Sequence, residues 1–76
     1  MENRILVARW ESKSRKHFAD LYQDAEESQV YSYRGNGYGG CLGVLTRQEA
    51  VRIMQERVDS NYFQPDNAKT PMRKVK

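Results

Sequence analysis

One cysteine, one histidine and two prolines in a chain of 76 residues remove several of the usual ways to build or use a small domain. Cys41 stands alone, so no disulfide forms within the chain. His17 and Cys41 together supply too few ligands for a tetrahedral zinc site, and no metal or other cofactor is expected. No run approaches the roughly 18 apolar residues of a membrane span, and the N-terminus lacks the pattern of a secretory signal. A lone thiol without an export signal sets the expectation of a reducing cytoplasm, and Met1 that of a complete small protein. A chain this short buries only about 60 % of its unfolded surface. With disulfide and metal set aside, association with a copy of itself or with a protein partner is the expected added support.

The net charge of +3 is concentrated at one end. Residues 64–76 carry Lys69, Arg73, Lys74 and Lys76 against Asp66 alone, which accounts for the whole excess. Residues 1–63 therefore sum to zero, and the expectation is one neutral globular domain over 1–63 with an irregular basic tail over 64–76.

Arg4 to Trp10 is β-branched and aromatic and reads as a strand, with Leu6, Ala8 and Trp10 on one side and Ile5 and Val7 on the other. A polar turn follows over Ser12–Arg15. Residues 16–23 fit either a helix or a strand, since Phe18, Leu21, Tyr22 and Ala25 fall at helical spacing. A helix there would begin at Arg15 and Lys16 and end at Asp24, Glu26 and Glu27, opposing the helix dipole at both ends. The strand is therefore favoured. Gln29 to Arg34 alternates cleanly as a further strand, Asn36-Gly37 signals a hairpin, and Cys41 to Leu45 is a short extended return. Thr46-Arg47-Gln48-Glu49 has the form of a capping box and opens a helix over Arg47–Asp59, with Ala50, Met54 and Val58 on its buried face. Asn61 is expected to mark its exit. The class is α+β: an antiparallel sheet of three or four strands followed by one helix.

Gly35, Gly37 and Gly40 match the spacing of a dinucleotide-binding loop, but that chemistry needs a helix directly after the motif. A further extended segment intervenes, so a glycine-rich hairpin is expected. Nothing in the spacing of Cys41 and His17 supports a nucleophile and its base. A lone cysteine in an apolar strand is expected to pack as a small hydrophobe, and no enzyme is expected.

Strands apolar on both sides, behind a single helix, predict an exposed second sheet face rich in aromatic and aliphatic groups. On that reading Trp10, Tyr31, Tyr33, Asn36 and Tyr38 contact a protein partner. Protein binding is therefore the leading expectation, and because compact neutral chains of this size are common among phage and mobile-element products that block host enzymes, inhibition of such an enzyme is one form it could take.

Leu42-Gly43-Val44-Leu45-Thr46-Arg47-Gln48-Glu49-Ala50, placed between a sheet and a helix, is similar to the corresponding junction of plant AP2-type and integrase arm-binding domains. The resemblance covers about nine residues, and the strands lack the dense Arg and Trp positions of those families. It implies a sheet laid in the major groove of DNA. Arg4, Arg9, Arg15, Lys16 and Arg34 would then meet phosphates, helped by Lys69, Arg73, Lys74 and Lys76.

Overall fold

A computed structural model describes residues 4–60, 62 and 71–76. Five strands and one helix follow in the order β1 (Ile5–Ser12), β2 (Phe18–Gln23), β3 (Val30–Gly35), β4 (Tyr38–Val44), α1 (Arg47–Asp59) and β5 (Met72–Lys74). The strands form one antiparallel sheet in the spatial order β4-β3-β2-β1-β5. The α+β class and the sheet-then-helix order stand as expected. No helix among the described residues is long and apolar enough to cross a membrane.

Of residues 16–23, Phe18–Gln23 form a strand, in line with the unfavourable charge placement a helix would have met, and the first two belong to the turn. Asn36 Nδ2 donates to the Lys16 carbonyl at 2.6 Å, and Asn36 Oδ1 accepts from the Phe18 amide at 2.8 Å. The β3–β4 turn is thereby tied to the start of β2. Gly37, at φ +71°, supplies the left-handed residue of that turn.

The helix runs over the expected span. Thr46 Oγ1 accepts from the Glu49 amide at 3.1 Å, and Glu49 Oε1 accepts from the Thr46 amide at 3.1 Å. Ala50, Met54 and Val58, at successive fourth positions, are buried against the sheet. Facing them are Val7, Ala8, Trp10, Ala19, Leu21 and Tyr31. Trp10 is fully buried, and its Nε1 donates to Gln55 Oε1 of the helix at 2.7 Å, so the indole is both packed and satisfied.

Strand β1 departs from simple alternation, which corrects the two-sided reading of it. Leu6 pairs with Tyr22 and Ala8 with Leu21, leaving Val7 as the extra residue of a β-bulge. The bulge turns both Val7 and Ala8 inward, followed by Trp10 and Ser12, all of them buried. Val7 and Ala8 thus go to the helix side, while Leu6, opposite Tyr22, stays on the other.

Two further expectations are corrected. The tail is not wholly irregular, because β5 pairs with β1, with Glu11 opposite Arg73 and Ser12 opposite Met72. The outer edge of an eight-residue strand would otherwise leave its backbone groups without partners, and Met72 adds apolar contact to the core. Cys41, expected to be buried, is exposed, with its Sγ 3.6 Å from the Tyr31 carbonyl. The expected exit at Asn61 lies outside the described residues.

Tyr33 lies over Gly40 and Tyr38 over Gly35, each ring filling the space a Cβ would take on the facing strand. Burial first, then the neighbouring Tyr33 and Asp20, holds the Tyr38 phenol far above its ordinary pKa of 10.0. Folding protects the neutral phenol, so this stabilisation is complete below pH 10 and is lost as pH rises toward the raised folded value. In an alkaline titration, tyrosinate absorbance from Tyr38 is expected only together with loss of far-ultraviolet circular dichroism. Tyr38→Phe should lose less of its neutral-pH stability over the same alkaline range. A Tyr38 phenol that ionises with the fold intact would contradict this packing.

Candidate functional site

Residues directly opposite one another in a ladder share a face, and residues two apart along a strand share it too. Arg9 pairs with Asp20 and Asp20 with Arg34, while Glu11 pairs with Phe18 and with Arg73. Arg9, Glu11, Phe18, Asp20, Tyr22, Ser32, Arg34 and Arg73 therefore lie on the side of the sheet away from α1. The Arg4 guanidinium sits over the Tyr22 ring at 4.7 Å, which places it on this side as well. Arg4 and Arg9 are five positions apart and would point to opposite sides of a regular strand. The bulge at Val7 brings them to one side.

The open face is apolar only in part, as Leu6 lies opposite Tyr22, Val30 opposite Val44 and Cys41 opposite Ser32, with Val44 and Cys41 exposed. Its two aromatic rings carry guanidinium groups: Arg4 over Tyr22, and Arg9 over Phe18 at 4.7 Å. Arg9 Nη1 donates to Asp20 Oδ1 at 2.9 Å and to Oδ2 at 3.0 Å, and Arg9 Nε donates to Glu11 Oε2 at 2.8 Å. Asp20, only 4 % exposed, also accepts from the Tyr22 hydroxyl at 3.3 Å. The Glu11 bond is the main reason the Arg9 pKa is raised, with Asp20 adding to it against the effect of burial. For Tyr22, burial foremost and then Asp20 raise the phenol, partly offset by Arg34 and Arg4.

Charge is sorted by position. The open face holds four arginines, Arg4, Arg9, Arg34 and Arg73, against Glu11 and Asp20. The β1–β2 turn adds Lys13, Arg15 and Lys16, all exposed, at one end of the sheet. Asp24, Glu26 and Glu27 occupy the β2–β3 loop at the other end. Arg15 takes φ +65°, in a turn closed by its amide donating to the Ser12 carbonyl at 2.9 Å.

The residues expected to contact a protein partner are placed differently. Trp10 and Tyr31 belong to the core at 0 % and 3 % exposure, because the register turns them toward the helix. Tyr33 is half-buried beneath Arg57 of α1, whose guanidinium lies 5.4 Å from the ring centre. Tyr38 is half-buried over Gly35 and donates from its hydroxyl to the Phe18 carbonyl at 3.3 Å. Asn36 is exposed, but both ends of its amide brace the neighbouring turn.

Of the basic candidates, Arg9, Arg34 and Arg73 come together on the open face, and Arg15 and Lys16 adjoin its end. Lys74 pairs with Trp10 and so belongs to the opposite side. Lys76 is exposed beyond β5, its carbonyl accepting from the Arg9 amide at 3.4 Å. Lys69 lies outside the described residues. Arg4, named from the sequence as a phosphate contact, reaches this face through the bulge, whereas the stacking of Arg4 on Tyr22 and of Arg9 on Phe18 depends on register between strands and was not read from the sequence.

Asp20 is the anchor of this arrangement. Asp20→Ala is expected to cost about 1.5–3 kcal/mol, the scale of buried hydrogen bonds to a charged partner, read from urea unfolding. A loss well under that range would mean that Arg9 and Tyr22 do not depend on Asp20.

No protein-family model matches the chain, and no curated protein or solved structure matches it either.

Proposed function

We propose that this protein binds nucleic acid through the open face of its sheet, meeting backbone phosphates with Arg4, Arg34 and Arg73 and with Arg15 and Lys16 of the adjoining turn. The observation that carries the reading is the gathering of four arginines on the one sheet face that α1 leaves uncovered. Phosphate contact supplies most of non-specific nucleic-acid affinity, and it depends on local cation placement more than on net charge. The acidic loop at Asp24–Glu27 is kept at the far end of the sheet. The reading agrees with the sheet-in-groove arrangement that the Leu42–Ala50 resemblance implies.

A protein partner is the second reading, favoured by one feature. Strand β4 is outermost in the sheet, with Gly39, Gly40, Cys41 and Val44 exposed along it. Such an edge accepts an added strand. An inhibitor of a host enzyme would dock there, through an interface that survives high salt.

The test is binding to a mixed-sequence DNA duplex by fluorescence anisotropy across a salt series. Affinity should fall steeply with salt. The Arg34→Ala, Arg73→Ala double variant should lower the salt slope by about 2, near one for each phosphate left without its arginine. Arg52→Ala, which alters an exposed helix residue paired with Glu56 at 3.5 Å, should leave binding unchanged. Absence of binding at the lowest salt would overturn the reading in favour of the protein partner.

A further inference from the structure

Glu11 has a place on the open face that the proposed phosphate contacts do not explain. Its Oε2 accepts from Arg9 Nε at 2.8 Å, and it stands directly opposite Arg73 in the β1–β5 ladder. A carboxylate bonded to Arg9 thus holds the ladder position opposite Arg73, on the face proposed to meet phosphates. Its side chain is 21 % exposed and the Arg9 side chain 31 %, so both are within reach of a ligand at the surface.

The donors of Arg9 are correspondingly committed. Nε is taken by Glu11 and Nη1 by both oxygens of Asp20, so neither guanidinium edge retains two uncommitted parallel N–H groups for a phosphate fork. Asp20 is buried and also holds Tyr22, which makes it part of the framework. Glu11 has no such second duty, since among the described residues its carboxylate bonds to Arg9 alone.

We infer that Glu11 is a built-in phosphate mimic that occupies the Arg9–Arg73 position and holds down the affinity of this face for nucleic acid. The inference rests on the nucleic-acid reading above. An incoming phosphate competes with the Glu11 carboxylate for Arg9 Nε and is repelled by it as well. Arg9, one of the phosphate-contact candidates of the sequence, is therefore held in reserve, and Glu11 sets the strength of binding.

The test compares wild type with Glu11→Thr, Glu11→Gln and the helix control Glu56→Gln on the same mixed-sequence DNA duplex, with circular dichroism confirming the fold. Glu11→Thr removes charge and bond from a strand position that suits threonine. It should bind about three- to tenfold tighter, with a salt slope greater by about 1, as one further neutralised phosphate requires. Glu11→Gln removes the charge but keeps an acceptor, and should fall between wild type and Glu11→Thr. Glu56→Gln should match wild type. Binding by wild type with no gain in Glu11→Thr, or an equal gain in Glu56→Gln, would overturn the role of Glu11 and leave the nucleic-acid reading standing. No binding by wild type or any variant at low salt would overturn that reading itself.

Discussion

The bulge at Val7 is the constraint on which the two faces of this sheet depend. A single helix of 13 residues covers one side of the sheet only, and Val7, Ala8 and Trp10 of β1 all turn to that side. A regular strand would divide Val7 from Ala8. The extra residue turns both inward, with Trp10 following them into the core. It also brings Arg4 onto the side of Arg9, Glu11 and Arg73. One local irregularity thus sets both the buried face of β1 and the company of its arginines.

The arginine face is organised rather than merely charged. Rings lie beneath guanidinium groups at Phe18 and Tyr22, and two carboxylates hold Arg9 in place. Cation–π contacts at exposed sites contribute only about 0.5–1 kcal/mol each. Their value here is to reduce the freedom of long side chains before a ligand arrives. Asp20 supplies the buried anchor, while Glu11 sits nearer the surface. The helix side carries its own charges, such as Arg52 and Glu56, as an exposed pair at helical spacing, where little net effect is expected.

Features governed by neighbours in the chain were legible in the sequence. The capping box at Thr46 and Glu49 marked the helix start, and the fourfold spacing of Ala50, Met54 and Val58 marked its buried side. Charge order alone favoured a strand over residues 16–23. Features governed by distant pairing were not legible. Nothing local in Ile5–Trp10 reveals that Val7 is the extra residue, since the bulge is defined by the register against β2. Strand β5 is only three residues long and owes its existence to the open edge of β1. Trp10 and Tyr31 read as surface aromatics because their direction is set by pairing with other strands, Trp10 with Ala19 and Tyr31 with Gln23 and Gly43. The neutral sum over residues 1–63 concealed that Lys13, Arg15 and Lys16 gather at one end of the sheet and Asp24, Glu26 and Glu27 at the other.

The central claim is that the face away from α1 is the working surface. Amide chemical-shift mapping of the isotope-labelled chain, titrated with a short DNA duplex at low salt, tests it most directly. The account predicts shifts concentrated at Arg9, Asp20, Ser32, Arg34 and Arg73 and in the turn over residues 13–17, with α1 unmoved. Shifts concentrated along α1 or in the acidic β2–β3 loop, or no shifts at all, would contradict it.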